Sequence, residues 1–292
     1  MTAFVRPAGP GDIDAICTLL HTEMNDRIPL ERWRRLMTYD WITDIPDFGR
    51  VVENNGRVLG YCGMVYADRI VGNSSEDRRI ERIVSMSSWY LDKSLRGQGL
   101  GRDMLASATA DRSLSYATLT NSRKPLGIVE AVGFRILEDH RYLWRRAAGT
   151  VDSSLIVTRD PAVIRKRVDI SERKLIDDMA RLPVAPILLE VGGRQTLLYF
   201  SVKRKDADIT WHDLLYAGDR TLFVRHAQHL ANVLLPDPVS VLAADGRFVQ
   251  HAPDGAEREA LPVPRYFKSE RVAASEVDHL YSELQLLDLK LD

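Results

Sequence analysis

The sequence has few cysteines, almost no net charge and no long apolar run, and each of these scarcities excludes a class of protein. Cys17 and Cys62 stand in apolar settings with no partner at metal-ligand spacing, so we expect buried free thiols rather than a disulfide framework or a metal site. A formal charge of −1 gives no general attraction to nucleic acid or to an anionic membrane. No apolar stretch reaches the roughly 18 residues of a membrane span, and residues 1–12 show no secretory signal. We therefore expect a cytoplasmic location, no nucleic-acid or membrane partner and no metal.

The first half of the 292 residues alternates between the periods of strands and helices. Asn55-Gly56 between two apolar runs predicts a β-hairpin with a type I′ turn. A strand and a helix on either side of a glycine-rich loop predict a parallel pair joined by a crossover. The predicted strands are 3–8, 49–54, 57–68, 81–92, 116–120 and 134–146, and the predicted helices are 13–24, about 101–112 and 125–133.

The second half repeats this alternation without a second glycine-rich loop. Residues 147–154 (AAGTVDSS) are a plausible domain boundary. Beyond them the patterns predict helices over about 160–181 and 220–235, and strands at 185–191, 194–202, 209–218 and 239–245.

The stretch Leu95–Gly101 (LRGQGLG) has three glycines at alternate positions just before a helix. A Walker A loop would end in Gly-Lys-Ser/Thr, but Arg102-Asp103 follow here, and the dinucleotide fingerprint GxGxxG has a different spacing. An ordinary turn explains one glycine better than three, because each glycine costs backbone entropy unless its conformation is used. The fourth interpretation is a pyrophosphate cradle, in which bare amides and the positive end of a helix face phosphate oxygens.

Arg96, Gly99 and Gly101 complete the pattern Arg-x-x-Gly-x-Gly. At this point the sequence resembles the GNAT acyltransferase superfamily, whose signature of this form binds the pyrophosphate of coenzyme A. The resemblance covers about residues 3–146 and includes Gly133-Phe134 at the start of a strand. It implies a fold of the α/β (α+β) class, with a mixed, mostly antiparallel sheet and flanking helices. The implied domains are a GNAT acyl-CoA-binding catalytic domain at 1–147 and a degenerate GNAT-like α/β domain at 148–292.

The resemblance also implies where acetyl-CoA, or another acyl-CoA co-substrate, binds. In such folds the fourth and fifth strands splay apart and the pantetheine arm enters between them. Backbone amides near Trp89 would then polarise the thioester carbonyl, while for the Trp89 side chain we favour core packing. The implied cofactor-binding residues are Tyr90, Leu91, Asp92, Arg96, Gly97, Gln98, Gly99, Leu100, Gly101, Arg102 and Asn121.

The side chains that move protons in many relatives are missing. Acyl transfer requires an amine to lose a proton and a thiolate to gain one. The family's usual glutamate on the fourth strand corresponds to Ser85, and its tyrosine four residues before Gly-Phe corresponds to Val129. The candidate catalytic residues are therefore Ser85 and Ser87, which could order a relaying water, together with Glu81 and Tyr90. Further candidates are Glu53, Glu23, Tyr116 and His21, although a solvated surface is the commoner place for a glutamate.

These features favour an acyl-CoA-dependent N-acyltransferase that acts on a small-molecule amine such as an amino sugar. Transfer would be direct, in a ternary complex, and would depend mainly on positioning the reactants. The alternatives are a catalytically inactive acyl-CoA-binding or regulatory module and an aminoacyl or peptidyl transferase of the tandem GNAT type. The acceptor site is expected over residues 21–48, whose charged candidates are Glu23, Asp26, Asp40, Asp44, Asp47, Arg27, Arg32, Arg34 and Arg35.

The second half has no glycine cradle. The junction Leu215–Asp219 (LYAGD) offers one glycine, and the carboxylate of Asp219 would repel a pyrophosphate. We therefore expect one CoA site per chain, with an unrelated α/β domain as the alternative to a degenerate GNAT-like half. This half would supply core and part of the acceptor wall, with His212, Tyr216 or Tyr281 as possible contacts.

Overall fold

The computed structural model describes residues 3–72, 77–148, 154–205, 208–249, 252–253 and 255–291. They form two compact units. Unit 1 comprises Met1–Leu137, Arg265–Val277 and Tyr281–Leu289, and unit 2 comprises Glu138–Pro264, Asp278–Leu280 and Lys290–Asp292. This partition differs from the predicted ranges 1–147 and 148–292, because the chain returns to unit 1 after residue 264. Of the predicted boundary segment 147–154, residues 149–153 lie outside the described residues.

The elements follow one another along the chain in an order close to the predicted one. The strands are β1 (Phe4–Pro7), β2 (Gly49–Asn54), β3 (Arg57–Val71), β4 (Arg79–Leu91), β5 (Ser115–Thr118), β6 (Arg135–Trp144), β7 (Ile156–Thr158), β8 (Ala185–Val191), β9 (Arg194–Lys205), β10 (Ile209–Ala217), β11 (Val241–Asp245) and β12 (Glu257–Lys268). The α-helices are α1 (Ile13–Glu23), α2 (Leu30–Arg34), α3 (Leu100–Ala108), α4 (Leu126–Ala131), α5 (Pro161–Arg167), α6 (Ile170–Met179), α7 (Arg220–Leu234) and α8 (Glu283–Leu286).

Unit 1 is built on a mixed sheet in which antiparallel pairs predominate. Strands β1 to β5 lie in chain order, and residues 266–268 of β12 pair with the far side of β5. The β4–β5 pair is parallel, as the crossover through α3 predicts, and the neighbouring pairs are antiparallel. Asn55 and Gly56 have φ angles of 51° and 74°, which fit the predicted type I′ turn. The mixed, mostly antiparallel sheet with flanking helices is confirmed.

The helices of unit 1 pack by the faces that their sequences predict. Helix α1 buries Ile16, Cys17 and Leu20, and α3 buries Met104 and Ala108 at a spacing of i and i+4. Cys62 is also buried, and neither cysteine forms a disulfide. Among the described residues, no helix is long and apolar enough to cross a bilayer.

In unit 2 the strands lie side by side in the order β6-β11-β10-β9-β8-β7. Its parallel pair is β10–β11, joined through α7. The single helix predicted over 160–181 is wrong, because the chain breaks into α5 and α6. Val168 is extended with ψ of 164°, and the Asp169 carboxylate accepts a hydrogen bond from the Glu172 amide at 2.9 Å, which caps the second helix.

Candidate active site

Strands β4 and β5 separate after a short stretch of pairing. Residues 83–85 of β4 pair with residues 115–117 of β5, and Ser85 opposite Ala117 is the last partner. Just beyond, the register between β3 and β4 shifts, and Ser88 has a φ of 49°, in the left-handed region. An extra residue of this kind bends a strand and interrupts its pairing. The result is a gap between residues 87–91 of β4 and residues 118–122, which we call the β4–β5 opening.

The glycine-rich loop joins the end of β4 to α3. Gly97 and Gly99 have φ angles of 80° and 84°, which L side chains rarely adopt, and Gly99 caps α3. The Arg96 Nε donates to the carbonyl of Leu91 at 2.9 Å, which ties the loop back to the strand. The carboxylate of Asp92 accepts from the amide of Ser94 at 2.8 Å and shapes the turn before the glycines.

The start of α3 offers free amides to an anion. The amides of Leu100, Gly101 and Arg102 belong to the first turn, where helix geometry provides no intrahelical acceptor. Helix N-termini bind phosphate groups through such amides and through the helix dipole. A Cβ placed on Gly101 would lie 3.8 Å from the side chains of Leu91 and Trp89, so this glycine faces the end of β4. The predicted phosphate-binding residues are therefore contiguous around one helix terminus.

The remaining predicted cofactor residues lie on both sides of the β4–β5 opening. The Gln98 side chain donates to the Ser94 carbonyl at 3.2 Å, and the Arg96 guanidinium lies 5.8 Å from the Tyr90 ring. Asn121 lies on the opposite side, where its amide nitrogen donates to the Thr118 carbonyl at 3.3 Å.

A cavity of about 350 Å³ lies in unit 1 at the inner end of the opening. This volume is at the lower end of the range typical of small-molecule sites. Its apolar lining includes Met24, Ile28, Trp33, Met86, Trp89, Val129, Phe134, Leu287 and Leu289, and its polar lining includes Ser87, Ser88, Thr118, Thr120, Asn121 and Glu283. Glu283 is the single carboxylate among the lining residues.

Glu283 is a site residue that the sequence did not reveal. Its side chain is 1% exposed, and its two carboxylate oxygens accept hydrogen bonds from the hydroxyls of Ser85 at 2.6 Å and Thr120 at 2.8 Å. Burial raises the pKa of the Glu283 carboxyl, and the two hydroxyls oppose that rise. The strand position that usually carries the family's glutamate is thus occupied by a serine that holds a carboxylate from elsewhere in the chain.

The C-terminal segment of unit 1 holds Glu283 in place. Glu283 is the first residue of α8, and the hydroxyl of Ser282 caps this helix by accepting from the Leu284 amide at 3.3 Å. The preceding Tyr281 packs edge-to-face on Trp41, with ring centroids 5.2 Å apart. Local capping and aromatic packing therefore hold the backbone at Glu283 in place, and the two hydroxyls orient its carboxylate.

The four predicted catalytic residues have different surroundings. Ser87 lines the cavity, and its buried hydroxyl has no hydrogen-bond partner among the described residues. Glu81 is ion-paired with Arg271 at 2.7 Å and Arg79 at 3.3 Å, and the hydrogen bond from Arg271 lowers the pKa of its carboxyl. Such a carboxylate is a poor proton acceptor.

The fourth candidate, Tyr90, lies at the end of β4. Its hydroxyl donates to the Glu23 carboxylate at 3.3 Å, and burial together with that carboxylate raises the pKa of the phenol. Among the other candidates, Glu53 pairs with Arg6 at 2.7 Å, the Tyr116 hydroxyl donates to the Asp111 carbonyl at 3.0 Å, and His21 Nδ1 lies 2.9 Å from the Ile28 carbonyl.

Residues 21–48 contribute to the cavity through uncharged side chains. Met24, Asn25, Ile28 and Trp33 line it, whereas the nine charged acceptor candidates of this segment do not. Several of those charges are paired with other side chains, as in Asp44–Arg82, Asp47–Arg50, Arg34–Asp14 and Arg32–Asp288. His212 and Tyr216 belong to unit 2, while Tyr281 belongs to unit 1.

Comparison with known proteins identifies this architecture. Residues 13–114 match the family model described as "Acetyltransferase (GNAT) family". A GCN5-related N-acetyltransferase structure from Anabaena variabilis superposes with a TM-score of 0.55 at 8% identity, covering 91% of this chain and 72% of that one. A structure from Enterococcus faecalis, described as a protein of unknown function and probable N-acyltransferase, gives 0.57 at 12%, covering 94% and 74%. The search of curated proteins found no match.

These findings define the class of the protein first by its fold. The splayed β4–β5 pair, the glycine-rich loop and α3 form a GNAT fold, which the distant structural neighbours share. The family model adds that residues 13–114 are similar in sequence to the GNAT acetyltransferase family.

Proposed function

We propose that this protein is an acyl-CoA-dependent N-acyltransferase that acts on a small-molecule amine, with acetyl-CoA as the expected donor. The observation that carries the proposal is that two features lie along the same strand, β4. They are the glycine-rich loop at the start of α3 and the cavity at the inner end of the β4–β5 opening. Phosphates would bind at the loop, and the pantetheine arm would follow the unpaired edge of β4 from Leu91 towards Ser87. This path would bring the thioester to the cavity.

The cavity lining favours an acceptor with one amine on a partly apolar body. Trp33, Leu287 and Leu289 supply apolar surface, and Glu283 supplies the single carboxylate of the lining. An acceptor with several ammonium groups would leave charges unpaired in this space, which is costly. A monoamine, including an amino sugar with one amino group, supplies one positive charge for the Glu283 carboxylate and hydrogen-bonding groups for the hydroxyls of the lining.

Calorimetry and a thiol-release assay test the proposal. Acetyl-CoA should bind, and free thiol should form when monoamines are added but not when the acceptor is omitted. The acceptor panel contains arylalkyl monoamines, amino sugars, amino acids and polyamines, with the first two expected to react fastest. Failure to bind acetyl-CoA would contradict the proposal at its first step.

A second candidate function is a non-catalytic acyl-CoA-binding module. Ser85 and Val129 favour it, because they replace the usual proton-transfer side chains of the family. Acetyl-CoA binding without thiol release for any acceptor would support this alternative.

We also propose that unit 2 is a degenerate GNAT-like domain that does not bind CoA. Its β10-α7-β11 crossover, like β4-α3-β5, joins a parallel pair. The start of α7, however, already has an anionic group bound to it, because the Asp219 carboxylate accepts from the Leu222 amide at 2.9 Å and pairs with Arg194.

Two buried free thiols support the expected cytoplasmic location.

A further inference from the structure

We infer that Glu283, supplied by the C-terminal segment, is the catalytic base of the proposed acyl transfer and also returns the proton to the leaving thiolate. This inference rests on the proposed function. It assigns the missing proton chemistry to one carboxylate that lines the cavity together with Val129 and contacts Ser85, the two positions where the family's usual groups are absent.

The surroundings of Glu283 suit a proton acceptor rather than a surface anchor. The carboxylate lies 2.6 Å from the Ser85 hydroxyl on β4 and 2.8 Å from the Thr120 hydroxyl beyond β5, so it lies at the divergence of the two strands. Two hydroxyl donors orient the carboxylate but leave lone pairs on both oxygens for a third partner. Among the described residues that line the cavity, Glu283 is the one with a carboxylate to receive an amine proton.

The charged and titratable groups around Glu283 are few. Among the described residues, Arg265 on β12 contributes a positive charge that opposes the rise in the carboxyl pKa caused by burial. Cys62 on β3 is the other ionisable side chain of the lining, and burial raises the pKa of its thiol to about 12. Cys62 therefore stays protonated, and the carboxylate is the group that titrates in the cavity. A carboxylate with a raised pKa is a stronger base once ionised.

The proposed step balances with these groups alone. The acceptor enters as an ammonium ion and first loses one proton to solvent, and the nitrogen of the resulting free amine attacks the carbonyl carbon of the thioester to form the C–N bond. The carboxylate of Glu283 takes one N–H proton. The C–S bond then breaks with its electron pair on sulfur, and the proton passes from Glu283 to that sulfur. The products are the amide and the thiol, and the carboxylate is restored.

The first test compares Glu283→Gln with the matched control Glu276→Gln. Glutamine keeps the shape of the side chain, and its oxygen accepts from one of the two hydroxyls while its NH2 group donates to the other, but it cannot take a proton. Glu276 lies in the same C-terminal segment, pairs with Arg79 at 3.2 Å and does not line the cavity. We expect Glu283→Gln to lower kcat by on the order of 100- to 10,000-fold with unchanged acetyl-CoA affinity, and Glu276→Gln to keep the wild-type kcat.

The second test is the pH–rate profile, which a purely structural role would not move. Wild-type activity should fall as pH drops through the Glu283 pKa. Ser85→Ala should shift this acidic limb to higher pH, because the Ser85 hydrogen bond lowers the pKa of Glu283. This variant also tests the inference if Glu283→Gln fails to fold.

The outcomes separate the inference from the function on which it rests. If Glu283→Gln releases thiol at the wild-type rate, the role of Glu283 alone is overturned. The same holds if Ser85→Ala leaves the acidic limb of the pH–rate profile at its wild-type pH. A wild type that binds acetyl-CoA but releases no thiol with any amine would overturn both.

Discussion

Replacing Gly99 with leucine should separate the stability of the fold from coenzyme A binding. Gly99 has a φ of 84°, and apart from its neighbours in the chain the nearest atom to a Cβ placed there is an oxygen of Asp103, at 3.9 Å. The substitution therefore meets no packing obstacle within the protein. It forces an L residue into the left-handed region at a cost of about 1–2 kcal/mol. For a chain of this size, that corresponds to a fall in Tm of about 2–8 °C.

The effect on binding should be larger than the effect on folding. A leucine side chain at the N-cap of α3 would occupy the space through which phosphate oxygens approach the first-turn amides. Losing a favourable interaction with a helix N-terminus costs up to about 2 kcal/mol, which is about 30-fold in Kd, and steric exclusion adds to it. We expect at least this loss in acetyl-CoA affinity by calorimetry.

Gly56→Leu is the matched control. Gly56 has a φ of 74° and no atom within 4 Å of an added Cβ, so the backbone strain and the free space are similar. It lies in the β2–β3 turn, away from the glycine-rich loop. The control should lose the same few degrees in Tm and keep its acetyl-CoA affinity. Equal affinity in Gly99→Leu and wild type, or an equal loss in both variants, would refute the role assigned to this loop.

Three other measurements follow from the structure. Because the pKa of Cys62 is raised to about 12, its thiolate fraction at pH 8 is about one in ten thousand. Alkylation of Cys62 should therefore require denaturant, and rapid labelling of the native protein would contradict its burial. Because Arg271 lowers the pKa of Glu81, this pair stabilises the fold above the unfolded pKa of about 4.3 and loses its effect as pH falls through the folded value. Glu81→Gln should therefore lower Tm at pH 7, with the difference from wild type shrinking in acid, and a constant difference would count against the pair. Titration with acetyl-CoA should give one site per chain, and two sites, or binding by an isolated 151–292 fragment, would contradict a degenerate second half.

Local patterns in the sequence were enough to predict most elements of the fold. The strand predicted at 185–191 has the same bounds as β8. An apolar run between a proline and two glycines predicts a strand both by its periodicity and by the turn residues that flank it. The helix predicted over 160–181 was wrong at Val168. Asp169 and Glu172 have the spacing of a helix-capping signal, which indicates a new helix start. The apolar residues nevertheless continue at helical spacing through this point, and that pattern favoured a single helix.

The base of the candidate site could not be found in this way. Glu283 and Ser85 are 198 residues apart in the chain, and no spacing rule relates residues so distant. Only the local signal Ser282-x-x-Gln285 marks the start of α8. Motif reasoning located the phosphate end of the site because that end is built from consecutive residues 96–102. The proton-transfer end is assembled by tertiary contacts between β4, the segment after β5 and the C-terminal segment.

The return of the chain to unit 1 has a consequence for how this protein is made. The second neighbour of strand β5 is formed by residues 266–268. Ser115 and Ser269, whose hydroxyls form a hydrogen bond of 2.8 Å, are 154 residues apart in the chain. At about 5–20 residues per second, the ribosome would need roughly 8–31 s to synthesise the chain between them. During that time one side of β5 has no partner, and an unpaired strand edge invites pairing with other chains. A nascent chain of this protein therefore passes through a long interval in which chaperone protection is most valuable, and the fragment 1–147 would remain permanently at that stage.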